Sequence, residues 1–163
     1  MYIIVGLGNP GEKYENTRHN TGRIAVDYLS RSRNLDAKFV VPDTFMNKSG
    51  LAVAKVVKSK MAAQKLIVVY DDLDLPLGKI KISYNRNSGG HKGVESVIRA
   101  LKTKEFIRIR IGIGKEKDVE KHILSPFKKS EIVILKDVFK QVEAAVLTIV
   151  EKGLPAAMSE FNA

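Results

Sequence analysis

The residue in this chain best suited to chemistry is His19, within Tyr14-Glu15-Asn16-Thr17-Arg18-His19-Asn20-Thr21-Gly22, just after the segment Ile3-Ile4-Val5-Gly6-Leu7-Gly8-Asn9-Pro10-Gly11. The chain has three histidines and no cysteine, so a general base working near neutral pH has few sources. His19 lies among amides and a basic side chain instead of on an apolar stripe, which points to hydrolysis with water as the nucleophile. A histidine alone could equally well cap a helix or satisfy a core, so the assignment needs an orienting carboxylate. The run Leu66-Ile67-Val68-Val69-Tyr70 reads as an interior strand with both faces covered, and it delivers Asp71-Asp72-Leu73-Asp74 to its carboxyl end. Asp71, closest to the strand end, is the expected partner. A carboxylate accepting from one imidazole nitrogen fixes the tautomer and leaves the other nitrogen to take a proton from water. Asp74, before Leu75-Pro76-Leu77-Gly78, is assigned to the turn.

Several other residues could hold a substrate. Gly6-Leu7-Gly8-Asn9-Pro10-Gly11 has the look of a dinucleotide-binding turn, but Pro10 and the missing third glycine before an immediate helix break that pattern. Asn9 nevertheless offers an amide at a strand's carboxyl end, where α/β sheets place their ligands. Asn47, in Thr44-Phe45-Met46-Asn47-Lys48-Ser49-Gly50, is suited to hold a carbonyl or a sugar hydroxyl; alternatively Asn47 or Ser49 only caps the next helix. Phe45 and Met46 read as core plugs, with substrate contact open to whichever is exposed. Ser88-Gly89-Gly90-His91-Lys92-Gly93 is a glycine loop entering a helix whose N–H groups could grip phosphate, and His91 could serve only as its cap.

These residues need a scaffold. Tyr2 to Gly6 reads as a strand, residues 20 to 31 as an amphipathic helix, and Ala37 to Val41 as a short strand ended by Pro42. A helix follows through Leu51, Val53, Ala54, Val56 and Val57. Lys79 to Tyr84 alternates with a basic polar face, as expected near a sheet edge. After the flexible stretch Asn85 to Gly90, a helix turns Val94, Val97, Ile98 and Leu101 inward. Phe106 to Ile111 alternates again, with Arg108 and Arg110 on one face. Helical periodicity resumes with Ile132, Leu135, Val138, Phe139, Val142, Ala145, Val146 and Ile149, in a helix that ends at Gly153 before Pro155. Strands separated by helical segments predict an α/β fold, a twisted mixed β-sheet packed between helices. At 163 residues the expectation is one domain over residues 1–163.

Charge and composition narrow the function. The formal net charge is +10, and it is uneven: residues 1–60 and 61–112 each carry ten Lys/Arg against five Asp/Glu, whereas residues 113–163 carry eight against eight. The positive excess therefore accompanies the Gly/Asn/His motifs, which suits a polyanionic partner. Zero cysteines exclude disulfides and thiolate catalysis, and the scattered histidines make a dedicated zinc site unexpected. No apolar run approaches the ~18 residues of a membrane span, and the apolar start is short for a signal peptide, so a cytoplasmic protein is expected.

Together these blocks resemble the bacterial-type peptidyl-tRNA hydrolase family. They occur in family order: Ile4 to Gly11, Tyr14 with Thr17 to Gly22, Pro42 with Thr44 to Gly50, Asp71 to Gly78, Ser88 to Gly93, and Arg108-Ile109-Arg110-Ile111-Gly112-Ile113-Gly114, with Lys121 to Phe127 resembling the segment before the final helix. The resemblance implies a monomeric esterase, without cofactor, metal or obligate protein partner, that cleaves peptide from tRNA. It implies His19 as base, Asp71 as its partner, and Asn9, Tyr14, Phe45, Asn47, His91 and Lys92 around the substrate, with His91 touching the tRNA 3′ end. Lys81 and Arg110 match positions that grip tRNA phosphates, and Arg108 is expected to join them. Two departures stand out: Lys92 occupies a position where many relatives carry asparagine, and residues 30 to 41 are short. A non-catalytic RNA-binding module and a general small-molecule esterase are the competing functions.

Overall fold

The computed structural model describes residues 1–163. Five strands form one sheet in the order β2-β1-β3-β5-β4, namely β1 Tyr2–Gly6, β2 Ala37–Val40, β3 Leu66–Asp72, β4 Ile80–Tyr84 and β5 Ile107–Gly112. The first four in that order run parallel, and β4 pairs antiparallel to β5 at one edge. The helices are α1 Thr21–Ser30, α2 Ser49–Val56, α3 Lys60–Ala63, α4 Lys92–Leu101, α5 Val119–Ile123, α6 Lys129–Lys152 and α7 Leu154–Phe161. Short 3-10 turns at Glu12–Tyr14, Arg18–Asn20 and Met46–Lys48 connect them. This is the mixed α/β sheet between helices that the periodicity predicts.

The period-two alternation of the strands divides two apolar layers. Ile4, Ile67, Val69, Ile107, Ile109 and Ile111 face the larger layer, which α1, α6 and α7 close through Ala25, Val26, Leu29, Val138, Val142, Val146, Ile149 and Ala157. Val5, Leu66, Val68 and Tyr70 face the smaller layer, closed by Val53 of α2 and Val94 and Val97 of α4. Burial of β1 and β3 on both sides accounts for their near-continuous apolar runs.

Two helices begin with exposed apolar residues. Ile132 is exposed, as are its neighbours Val133 and Ile134, because the first turn of α6 extends past the sheet and inward packing begins at Leu135. Leu51 is likewise exposed at the start of α2. Ser49 does not cap α2: it is the first helical residue, Lys48 occupies the cap, and the Ser49 hydroxyl donates to Met46 O at 2.8 Å. The chain also continues past Gly153 into α7, with Pro155 in the first turn where proline fits a helix start.

Parallel pairing of β1 with β3 brings their carboxyl ends side by side, Gly6 opposite Val69, and α1 packs across both. The close approach requires Gly22, since a Cβ there would overlap the Val69 carbonyl. Gly22→Ala should therefore force α1, and the His19 turn before it, off the sheet. The expected loss is about 1–3 kcal/mol or more, read as a lowered urea unfolding midpoint at unchanged m-value.

Candidate active site

The turn Arg18–Asn20 lies between β1 and α1 and is buried throughout. Asn20 fastens it to the β1 turn, its Oδ1 accepting from Asn9 N at 2.8 Å and its Nδ2 donating to Asn9 O at 2.9 Å. Gly8 leaves room for this clamp, because a Cβ there would meet the Asn20 amide. Asn20 is a positioning residue that the amide-rich motif contained but that its spacing did not single out.

At the end of β3, Asp71 is buried and bridges two imidazoles. Its Oδ2 lies 2.8 Å from His19 Nδ1, and its Oδ1 lies 2.8 Å from His91 Nε2. The proton positions follow from the surroundings. His91 Nδ1 accepts from the backbone N–H groups of Gly93 and Val94 at 3.1 and 3.3 Å, so its proton sits on Nε2 and is donated to Asp71. His19 Nδ1 likewise donates to Asp71, which leaves Nε2 with its lone pair and no protein partner. Burial alone would push the Asp71 carboxyl up, but the positive character and the N–H donors of His91 and His19 outweigh it and hold the group well below the ordinary carboxylate range. One ligand atom each from His19, Asp71 and His91 would fall within 4.8 Å of the others, as in a metal site. The donor set argues for protons instead, because His91 Nδ1 is already an acceptor and a metal on Nε2 would leave that ring without a hydrogen.

His91 is thus both the side-chain cap of α4 and the second partner of Asp71. Both of its nitrogens are engaged within the protein, and the ring still lines the cleft. His122 stands apart, its Nε2–H reaching Ile113 O and Gly114 O at 3.1 and 3.2 Å.

A cleft of about 720 Å³ opens over this cluster. His19, Asp71 and His91 form its floor, Asn9, Phe45 and Asn47 one side, and Val119, Ile123 and Leu124 another. Asn9 Oδ1 accepts from Met46 N at 2.8 Å, which orients the amide and keeps its N–H2 free of protein partners. Asn47 is exposed at the cleft without a side-chain capping bond. Phe45 is 56 % exposed there, whereas Met46 is buried, so only one of the two is a core plug. Tyr14 does not line the cleft but packs edge-on against Phe45, with ring centroids 6.4 Å apart. Lys92 is exposed on the cleft wall, joined by Arg86 and Lys115. These last two cations lie in loops without periodicity, and sequence reasoning passed over them.

The expected phosphate contacts separate. Lys81 is exposed on β4, opposite Arg110 of β5, beside a smaller hollow of about 360 Å³. Arg110 lines both the hollow and the main cleft but is largely buried, bonded to Asp72 at 2.8 Å and to Ser83 Oγ at 3.2 Å. Arg108 is corrected outright. It is 0 % exposed, its guanidinium lies 4.0 Å from the Phe106 ring, and it donates to Arg86 O and Lys104 O. Phe106 and the backbone at Arg86 and Lys104 cover Arg108, whereas Arg110 further along the same face reaches the cleft. Burial pushes the Arg108 guanidinium value down and the neighbouring Tyr70 phenol up.

A histidine–aspartate pair at the carboxyl ends of parallel strands, beneath an open cleft rimmed with amides and cations, is the arrangement of an α/β-fold enzyme suited to hydrolysis by an activated water. The sequence profile described as peptidyl-tRNA hydrolase matches residues 3–39 and 33–163, and the chain belongs to this family. The chain is 43% identical to a peptidyl-tRNA hydrolase of Thermodesulfovibrio yellowstonii, over 99% of each protein, and 42% identical to one of a Thermoanaerobacter species, over 99% of this chain and 100% of that one. Its structure is similar to the crystal structure of peptidyl-tRNA hydrolase from Acinetobacter baumannii, with a TM-score of 0.90 at 28% identity, covering 100% of this chain and 95% of that one. An endopeptidase of Escherichia coli, at 13% identity and a TM-score of 0.56, shares the fold alone. The Thermodesulfovibrio alignment runs over 185 positions against the 163 residues here, and the profile breaks at residues 33–39, beside the edge strand β2.

The low folded-state value of Asp71 makes a pH prediction. The unfolded carboxyl, with an ordinary value of 3.8, binds its proton at higher pH than the folded one. The resulting stabilisation is present in full above about pH 5 and is lost as pH falls through the depressed folded value. Asp71→Asn should flatten this acid limb, measured as the denaturant midpoint between about pH 5 and pH 2.5. A slope equal to that of the native protein would place the proton linkage elsewhere.

Proposed function

We propose that this protein hydrolyses the ester between a peptide, or an N-blocked amino acid, and the 3′-terminal ribose of tRNA. The observation that carries the reading is the 2.8 Å contact between His19 Nδ1 and Asp71 beneath an open cleft, which frees Nε2 as a base. His19 takes a proton from water as the water attacks the ester carbonyl, and the imidazolium then protonates the departing ribose oxygen. Asp71 stabilises the imidazolium without taking its proton. An ester is a better target than an amide, so a dyad without a covalent nucleophile suffices.

Asn9 and Asn47 supply donors at the cleft for the carbonyl end of the peptide, and a fixed donor on a developing oxyanion contributes about 3–4 kcal/mol. Lys92 brings N–H donors and no acceptor, which suits an oxyanion or phosphate and does not suit orienting water by accepting from it. Tyr14 acts through Phe45, which offers an apolar face to the substrate. tRNA phosphates are met by Lys81 with Arg110 behind it, and by the exposed Arg86 and Lys115. Residues 1–163 work as one domain, as a monomer and without a cofactor. No helix is long and apolar enough to cross a membrane.

Three measurements test this reading. Purified protein should release N-acetyl-aminoacyl groups from tRNA and leave free aminoacyl-tRNA intact, which separates it from an RNA-binding module and from a general esterase. His19→Ala should abolish turnover while circular dichroism and tRNA affinity persist, and Asp71→Asn should lower kcat by on the order of 10⁴, because its amide N–H2 faces one of the two imidazole donors. Lys81→Ala should weaken tRNA binding more at low salt than at high salt and reduce the salt slope by about one. Near-native turnover in His19→Ala would sink the assignment.

A further inference from the structure

The wall of the cleft formed by α5 has no fully buried residue and meets the apolar core only through the half-buried Ile123, a single contact that does not by itself fix its position. Two polar attachments do. At one end His122 holds the last residues of the β5 crossing, Ile113 and Gly114. At the other end Arg18, adjacent to the catalytic histidine, grips the segment that leaves α5. Its Nη1 donates to Ser125 O at 3.3 Å, to Pro126 O at 2.9 Å and to the Ser125 hydroxyl, and its Nη2 pairs with Glu131 at 2.7 Å. The guanidinium also lies 5.4 Å from the Phe127 ring centroid. The backbone reinforces the contact through a bridge between Thr17 and Pro126, with Arg18 N donating to Ser125 O at 3.1 Å and Phe127 N to Asn16 O at 3.2 Å.

We propose that Arg18 is a positioning residue that couples the α5 wall of the cleft to the orientation of His19. The inference rests on the hydrolytic reading above and deepens it. A guanidinium that is only 6 % exposed needs a partner for its charge and acceptors for its fork, and here all of them come from residues 125–131. Moving the wall therefore moves Arg18, and Arg18 shares the buried 3-10 turn with His19. A substrate that seats against Val119, Ile123 and Leu124 presses on the element that this clamp ties to the base. The coupling runs through the planar fork, not through the charge alone, since a lysine could meet Glu131 but not three oxygens of the 125–126 segment at once.

The test uses Arg18→Lys and, at the far end of the clamp, Ser125→Ala, which removes a hydroxyl outside the cleft that accepts from Arg18 and itself donates to His122 O, and leaves the contacts of Arg18 to Ser125 O and Pro126 O in place. For each, kcat and KM on N-acetyl-aminoacyl-tRNA are measured well below its Tm, with amide hydrogen exchange over residues 119–127 and the NMR signals of the His19 imidazole. Arg18→Lys should lower kcat by on the order of tenfold to a hundredfold, with a smaller change in KM, accelerate exchange over 119–127 and shift the His19 signals. Ser125→Ala should move all of these in the same direction by less. Looser exchange with native kcat, or lowered kcat with native exchange, defeats the coupling, as does a loss that merely tracks the fraction unfolded. Failure of the hydrolytic reading would show separately, as native protein that releases nothing from tRNA. The clamp is then still judged by the exchange and imidazole measurements, which need no turnover.

Discussion

The site depends on one buried carboxylate shared by two imidazole N–H groups. Burying Asp71 without partners would be costly, and the two donors at 2.8 Å offset that cost while fixing both rings. Each ring is tied to a different part of the chain. His19 belongs to the turn between β1 and α1, and His91 caps α4, whose first turn packs Gly93 against Met46. Met46 in turn gives its N–H to Asn9. Four segments distant in sequence thus meet around a single charge, and the geometry of the base is set by the same contacts that hold the layers together.

The positive charge of the chain divides into two populations that composition cannot tell apart. Arg18, Arg108 and Arg110 are buried and matched to Glu131, to carbonyls and an aromatic ring, and to Asp72. They stiffen the structure around the cleft. Lys81, Arg86, Lys92 and Lys115 are exposed and supply the field that a polyanion meets. The asymmetry of charge along the sequence is therefore real but overstates the binding surface, because three of the eight arginines in residues 1–112 are internal struts.

Much of the site was legible because its chemistry uses scarce residues. With three histidines in the chain and Asp71 the first of three aspartates at the end of an interior apolar strand, the pairing of His19 with Asp71 was accessible from residue type and strand direction. The strands and long helices followed from periodicity for the same reason that they pack: alternation and apolar stripes are the condition of burial. Arg108 failed because alternation shows which residues share a face and not what covers it, and here Phe106 and the backbone at Arg86 and Lys104 close over the guanidinium. His91 was read as one role or another, whereas its two nitrogens perform two at once, which only spatial proximity to Asp71 reveals. α7 was missed because Gly153 and Pro155 end one helix and begin the next.

The sheet finishes differently at its two sides. Along β4, the Asn162 side chain accepts from Ile82 N at 2.8 Å and donates to Ile82 O at 2.9 Å, imitating the pairing of a neighbouring strand with one amide. That pair of main-chain groups is consequently spent, and a foreign chain seeking to extend the ladder on this flank finds its docking point taken. The opposite flank is a four-residue strand bearing the exposed Lys38, so strand addition there is opposed by charge and short length instead of by a plug.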